Sequence, residues 1–285
     1  SARVTLDPEG SVPQDVATPV VAMPNRTVWA LVRVVVDGPD DVPAAQAALR
    51  QVVVHQPGRS DRTPAEPPDL RAAGFLAELD AALRVDPPAP WQPPPPDGLD
   101  ELLARPPATA HVDAGVALGK QHVVAGLGMD RVVGGWGTRS RGADFGDDVA
   151  YRAAFTAVSL AGHLPQENRG YRQSLDGSRS VQLHFAADEL PPVSGFWSLT
   201  VYGPDLFLVP NELGRHAVGD RTLVPAADGS ITVTVGADRP DDVAGWLPAP
   251  PGPHHLVLRA YEGAPTVVDA TWFPPEPIAL EDHPR

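Results

Sequence analysis

The stretch Leu175–Pro250 constrains the fold of this chain more than any other part of it. Five short runs of alternating apolar and polar residues begin within it. They read LDGSRSVQLHF, FWSLTVYGPDLFLVPN, RHAVGDRT, ADGSITVTV and GWLPAPPGPHHLVLRAY. Gly, Pro, Asn and Asp separate the runs, and β-branched and aromatic residues are frequent within them. Alternation with a period of two between turn residues is typical of antiparallel strands, so the pattern predicts an antiparallel β-sandwich.

The charge and composition of the chain exclude several classes of partner and site. The 285 residues carry a formal net charge of -14, and no run is rich in Lys and Arg. Phosphate backbones and anionic lipids repel an acidic chain, so we expect neither a nucleic-acid nor a membrane partner. The absence of cysteine excludes disulfides and thiolate ligands, and we expect no metal and no cofactor. We expect a cytoplasmic location. Because the sequence starts with Ser1 and not with Met, a secretion signal that has been removed is the alternative.

The N-terminal part of the chain alternates between strand, helix and Pro-rich patterns. Val28–Val36 is apolar and β-branched, which predicts a buried strand, and Asp40-Asp41 followed by Pro43 predicts a helix start. Helical spacing is found at Leu70–Leu83, Leu99–Leu103, Val112–Met129 and Val149–Leu160. An extended strap is predicted for Pro87–Pro96 and a flexible loop for Gly134–Gly146. We therefore divide the chain into a strand-helix segment, a Pro-rich linker, a helical connector and a sandwich domain, at residues 1–60, 61–110, 111–170 and 171–285.

Several runs resemble a bacterial two-domain family whose halves are catalogued as domains of unknown function. LDGSRSVQLHF, LPPVSGFWSLTVY, FLVPNELGRHAVGDRT, DGSITV and WLPAPPGPHHLVLRAY resemble its C-terminal domain, number twelve-fourteen. VWALVRVVVDGPDDVPAAQAALRQ is similar to the last strand and helix of its N-terminal domain, number twelve-fifty-four, and DFGDDVAYRAAF to the joining helix. The resemblance implies an α+β, mainly β fold, in which a shortened N-terminal β/α segment and a helical connector precede a jelly-roll-like antiparallel β-sandwich. It implies no activity.

The chain departs from the family at two places. Gly245 stands where the family usually has Asn before Trp-Leu-Pro, and the loop before LDGS is shortened to ENRGYRQS. Any polar site that uses that Asn is therefore in doubt.

Alternation sorts the strand residues into two faces. In Phe196–Tyr202 and His255–Tyr261 one face is wholly apolar, and we expect it in the core. The other face carries polar groups and is either a ligand site or a solvated outer surface. Upstream, Asp148 precedes a helical pattern as a capping residue, and Arg152 stands four residues later in ion-pair position.

We expect a small-molecule site where the sandwich meets the helical connector. The available groups suit cofactor-independent acid/base chemistry, which includes hydrolysis, elimination, isomerisation and cyclisation. His184 or Asp148 would be the base, Tyr202 the acid, and Arg221 or Arg259 the group that stabilises an anion. The other expected substrate-binding residues are Arg152, Trp136, Trp246 and Tyr261. The shortened N-terminal segment suggests a narrow substrate in a specialised biosynthetic pathway.

The alternative is a non-catalytic sandwich that binds carbohydrate or protein. In that case Trp91, Trp136 and Trp246 would form an exposed stacking platform. An enzyme would instead hold titratable groups with shifted pKa values in a closed cavity. A third interpretation gives the Pro-rich strap a contact in a homodimer.

Overall fold

The chain divides into two compact units, Ser1–Gln121 and His122–Arg285. The computed structural model describes residues 5–7, 20–22, 32–34, 36, 38–53, 72–85, 87–88, 94–126, 128–159 and 162–280. Within these ranges no helix has the length and apolar character that a membrane crossing requires.

The first unit is mainly helical where it is described. Two three-residue strands, β1 (Thr5–Asp7) and β2 (Val20–Ala22), pair in parallel. The predicted helices are confirmed with shifted ends: α1 (Val42–Arg50), α2 (Ala72–Val85), α3 (Leu99–Ala104) and α4 (Thr109–Ala125). Helix α1 follows a 3₁₀ turn at Pro39–Asp41, and its Pro lies in the first turn, where a missing N–H costs no hydrogen bond.

The buried strand predicted for Val28–Val36 is wrong for the residues that are described. Residues 32–34 and 36 are not in a strand, and Val32 and Val36 are 52% and 46% exposed. β-Branched residues favour a strand only where a neighbouring strand can pair with their backbone. The described part of this unit provides no such neighbour beside them. The remaining residues of the run lie outside the described ranges.

The second unit is a β-sandwich, as the strand pattern predicted. A six-stranded sheet has the order β3-β4-β5-β11-β7-β8, and a four-stranded sheet has the order β10-β9-β6-β12. All pairs are antiparallel except β9 and β10, which pair in parallel. The strands are β3 (Arg131–Val133), β4 (Trp136–Thr138), β5 (Asn168–Leu175), β6 (Val181–Phe185), β7 (Trp197–Tyr202), β8 (Ala217–Gly219), β9 (Ile231–Gly236), β10 (Trp246–Pro248), β11 (His254–Tyr261) and β12 (Ile278–Ala279).

The core of this unit lies between the two sheets. It is formed by alternate apolar residues of the long strands, among them Leu183 in β6, Leu199 in β7 and Leu258 in β11, which have no exposed surface. Because side chains alternate across a strand, burial of these residues directs their polar neighbours outward. The fold therefore presents one polar outer surface on each sheet.

The loop predicted at Gly134–Gly146 contains part of the larger sheet. Gly134 and Gly135 have φ values of 54° and 80° and form the two-residue turn between β3 and β4. Two successive residues with positive φ give a type I′ turn, which glycine adopts without strain. The glycines therefore mark a hairpin, and burial of Trp136 secures β4 in the sheet.

Two helices complete the second unit. Helix α5 (Val149–Val158) confirms the amphipathic helix predicted after Asp148, and the short α6 (Pro265–Val268) follows β11. Asp148 caps α5, because its carboxylate accepts a hydrogen bond from the backbone N–H of Tyr151 at 2.9 Å.

Candidate functional site

The outward surface of the six-stranded sheet, which we call the mixed face, carries most of the polar groups expected at a site. It consists of alternate residues from Asn168 to Ser174 in β5, from Ser198 to Tyr202 in β7 and from His255 to Tyr261 in β11. The opposite face of β7 and β11 is buried, as the alternation predicted. The face is part-buried: Thr200 is only 7% exposed, although it points outward.

His255 lies at one end of the mixed face between two polar partners. Its Nδ1 lies 2.9 Å from the Oγ of Ser174, and its Nε2 lies 3.5 Å from a guanidinium nitrogen of Arg172. A guanidinium only donates hydrogen bonds, so Nε2 accepts and Nδ1 carries the proton. Ser174 Oγ therefore accepts from Nδ1, which leaves its own hydroxyl hydrogen for another acceptor. This geometry does not activate Ser174 as a nucleophile.

The neutral form of His255 is favoured. Burial lowers the pKa of His255, and the positive charges of Arg172 and His254 lower it further. Tyr202 is paired with His255 across the other edge of β11. The mixed face therefore places a neutral imidazole between a hydroxyl group and a phenol.

Within the described ranges, two arginines of the mixed face have no carboxylate partner. Among the described residues neither Arg172 nor Arg259 forms an ion pair. The guanidinium of Arg259 instead lies 5.5 Å from the ring centroid of Tyr202, a cation–π geometry. Arg172 is paired with Val257, two residues before Arg259, so the two arginines are diagonal neighbours on adjacent strands.

The opposite end of the mixed face is aromatic. The rings of Phe196 and Tyr261 stack with centroids 4.2 Å apart and planes 14° apart. The guanidinium of Arg221 lies 5.1 Å from the Phe196 ring, and His163 packs edge-on against Tyr261. Of the residues predicted for the site, the structure thus brings Tyr202, Arg221, Arg259 and Tyr261 onto one surface.

The connector residues predicted for the site have structural roles. Asp148 forms an ion pair with Arg141 at 3.0 Å, and in the described structure Arg152 is exposed without an ion pair. The backbone N–H of Tyr151, followed by Arg141, holds the pKa of Asp148 below its usual range. A carboxylate with a lowered pKa that accepts these bonds is a poor base, so the catalytic role predicted for Asp148 is not supported. The predicted pair with Arg152 is replaced by the pair with Arg141.

His184 lies on the other sheet. It is exposed on the outer surface of β6, and its Nδ1 lies 2.9 Å from the Oγ of Thr232 on β9. The sandwich core separates it from the mixed face. Alternation correctly predicted that His184 points outward, but it points away from Tyr202 and Arg259, so these groups cannot act together.

Neither of the tryptophans predicted to bind substrate is accessible. Trp136 has no exposed surface and donates its indole N–H to the carbonyl of Pro275 at 2.9 Å. Trp246 is 3% exposed and donates to the carbonyl of Gly236 at 3.1 Å. The structure contradicts their expected role as ligand-binding rings, because each fills the core and satisfies its polar atom there. Trp91 lies outside the described residues.

Sequence reasoning missed Arg172 and Ser174 as site residues. They belong to β5, which the sequence suggested was a shortened loop, ENRGYRQS. The core face of β5 holds Arg169 and Gln173, so the usual apolar alternation is hidden. His255 was assigned to the correct face without a role, and only the Arg172 and Ser174 contacts give it one. Elsewhere in the described part of the chain no cluster of His, Asp or Glu has the geometry of a metal site.

Two family models match the chain. The model described as Protein of unknown function (DUF1214) matches residues 166–265, and that described as Protein of unknown function (DUF1254) matches residues 4–56. The chain is therefore similar to both halves of this two-domain family. The resemblance found in the sequence is confirmed, and the DUF1214 match contains the whole mixed face.

One solved structure has a similar fold. The VPA0106 protein from Vibrio parahaemolyticus is 19% identical with a TM-score of 0.57, and the match covers 98% of this chain and 76% of that chain. An uncharacterised protein from Burkholderia cenocepacia is 19% identical with a TM-score of 0.35 over 68% and 46% of the two chains, too distant for an argument. The first likeness shows a shared fold and no more. No curated protein matches the chain.

Proposed function

We propose that the sandwich unit binds a small organic anion on the mixed face. The observation that carries this proposal is the pair Arg172 and Arg259, which share one surface without a carboxylate partner in the described structure. Guanidinium groups suit carboxylate and phosphate oxygens, because they present several donors in a fixed fork. An anion on this face would supply the negative charge that the described residues do not.

The surroundings of the two arginines support binding of an organic molecule. The stacked rings of Phe196 and Tyr261 offer an apolar contact at one end of the face, and the hydroxyl of Ser174 offers a donor at the other. A few polar groups beside an apolar surface are typical of small-molecule sites. A local positive surface on a chain with a net charge of -14 also concentrates anions where they bind.

Acid/base chemistry on the bound molecule is a second candidate, favoured by the state of His255. An anion that attracts the guanidinium of Arg172 would release the lone pair of His255 Nε2. That lone pair would then accept a proton from the bound molecule, and Tyr202 would give a proton to another atom of it, so the molecule isomerises without net change in composition. The protonated His255 would afterwards return its proton through solvent to the ionised Tyr202. The base is His255 in this proposal, whereas the sequence suggested His184. A narrow substrate in a specialised biosynthetic pathway stays a prediction.

The binding proposal is tested by thermal shift at low ionic strength, since salt screens exposed charges. We expect succinate, benzoate and phosphate to raise the unfolding temperature more than the neutral compounds succinamide and benzamide do. Arg172→Met and Arg259→Met should each weaken binding about 10- to 100-fold, which is the typical loss of a charged hydrogen bond. Arg239→Met is the control, because Arg239 is an exposed arginine paired with Glu212 elsewhere in the unit. If the anions raised the unfolding temperature equally in all three variants, the proposal would be refuted.

Proton transfer is tested separately with any anion that binds. In D₂O, exchange of an acidic C–H proton of that anion is followed by proton NMR in the presence of the protein. We expect exchange with the wild type and its loss in His255→Gln, with binding retained. Exchange at the same rate in His255→Gln would exclude His255 as the base.

A further inference from the structure

The mixed face has a gap at Gly170. Gly170 is exposed on β5, and a Cβ atom placed on it would meet no other atom within 4 Å. Its φ is not in the left-handed region, so its backbone would accept a larger residue without strain. Gly170 therefore leaves open space between its neighbours on the mixed face.

Three arginines surround this gap. Arg259 is paired directly with Gly170 across β11, and Arg172 follows two residues later on the same face of β5. On the other neighbouring strand Gly137 is paired with Arg172. Extending that register by two residues, one beyond the end of β4, would place the backbone of Arg139 beside Gly170. The guanidinium of Arg139 donates to the carbonyl of Gly128 and lies 5.3 Å from the ring centroid of Phe155. Directly paired residues have Cβ atoms about 5 Å apart, and same-face neighbours along a strand are about 7 Å apart, so all three arginines start beside the gap. The guanidinium groups of Arg172 and Arg259 contact His255 and Tyr202, and both would turn towards Gly170 to bind an anion there.

Two of the three charges beside the gap, those of Arg172 and Arg259, have no carboxylate partner within the described ranges. Burial lowers the pKa of Arg139, and the like charge of Arg172 lowers it further. The carboxylate of Asp130 acts in the opposite direction on Arg139. Arg172 and Arg259 have no such partner among the described residues. About two positive charges are thus left without a counter-charge.

We propose that the space above Gly170, framed by Arg139, Arg172 and Arg259, binds the anionic end of the ligand, and that this end carries two negative charges. We call it the Gly170 site. This inference rests on the proposed anion-binding function and specifies where the anion lies and its charge. A dicarboxylate and a phosphate monoester both supply such a group, since each matches the donor fork of arginine. An aromatic or aliphatic remainder would extend along β11 towards Tyr261.

The experiment compares ligands of different charge by calorimetry at low ionic strength. Succinate and glycerol 3-phosphate are the dianionic probes, and acetate is the monoanionic probe. We expect the wild type to bind at least one dianion about tenfold or more tightly than acetate, as one additional charged hydrogen bond provides. Comparison of the two dianions identifies whether the site prefers a dicarboxylate or a phosphate. Equal affinity for acetate and both dianions would overturn the charge assignment.

Substitutions of Gly170 test the location. Gly170→Leu fills the gap and should weaken dianion binding about tenfold or more, whereas Gly170→Ala should change it less than about threefold. Gln182→Leu is the matched control, because Gln182 is a strand residue on the outer surface of the four-stranded sheet. Unfolding temperatures of the variants establish that each is folded. If Gly170→Leu does not fold, Arg139→Met replaces it and should weaken binding of the dianion more than binding of acetate.

The outcomes separate this inference from the proposed function. If Gly170→Leu binds the dianion like the wild type while Arg172→Met does not, an anion binds elsewhere on the mixed face and only the Gly170 site is refuted. If neither substitution matters, both proposals fail. An equal loss in Gln182→Leu would also refute the Gly170 site, because the effect would not depend on position.

Discussion

Arg169 joins three parts of the sandwich unit, and its loss should be severely destabilising. The side chain is only 2% exposed. Its guanidinium donates to the backbone carbonyls of Val267 and Val268 in α6 and to those of Arg139 and Ser140 after β4. One side chain of β5 therefore satisfies four carbonyl oxygens that come from two other segments.

The size of the expected loss in unfolding free energy follows from these four hydrogen bonds. Arg169→Met keeps the aliphatic stem and removes every donor. A buried carbonyl left without a donor costs about 1–3 kcal/mol, and the lower figure applies where water can reach the group. Taking about 1 kcal/mol for each of the four carbonyls gives a loss of about 4 kcal/mol. Since domains are stable by only about 5–15 kcal/mol, this is a large fraction of the total.

Urea unfolding followed by tryptophan fluorescence measures this loss, because Trp136, Trp197 and Trp246 are buried in the same unit. With an m-value of about 2 kcal/mol/M, Arg169→Met should lower the midpoint by about 2 M. Arg169→Lys should be intermediate, because an ammonium group has three donors and no fork. A shift in Arg169→Met no larger than that of the exposed control Arg239→Met would refute the reasoning.

Three further predictions concern the same unit. The pKa of His255 is lowered from 6.5 in the folded protein, so the unfolded chain binds more protons between the lowered pKa and pH 6.5. The free energy of unfolding should therefore fall as the pH drops from 6.5 through the lowered pKa. In urea titrations at several pH values, His255→Gln should flatten that part of the profile. Gly219→Ala places a Cβ atom 2.1 Å from the carbonyl oxygen of Trp197 and should lower the unfolding temperature. Tyr171→Phe removes a buried hydroxyl without a partner and should raise stability by up to about 1 kcal/mol in urea titrations.

The face assignments of β7 and β11 could be predicted because local physics decides them. Leu256, Leu258 and Ala260 alternate with His255, Val257, Arg259 and Tyr261, and a period-two apolar pattern has one favourable orientation towards a core. The same rule failed for β5, whose core face holds Arg169. There the inward arginine is stabilised by carbonyls from distant segments, and no local pattern reports those partners.

The position of the helical and turn elements was predictable for a related reason. Asp148 caps α5 through a bond to a residue three positions later, which the sequence shows directly. The pair Gly134-Gly135 was also visible, but the sequence does not say whether glycine marks a flexible loop or a tight turn. The burial of the neighbouring Trp136, which the structure shows, indicates a tight turn rather than a flexible loop.

The Gly170 site could not be predicted from the sequence, because its arginines meet only through the order of the strands. β11 follows β5 by some eighty residues along the chain, yet it lies between β5 and β7 in the sheet. Like charges on adjacent strands destabilise a sheet. The arginines around Gly170 therefore oppose the fold that brings them together, and a bound anion would relieve that repulsion. It follows that a bound anion should stabilise the sandwich unit, and that replacing one arginine should raise the stability of the unliganded protein while it weakens binding.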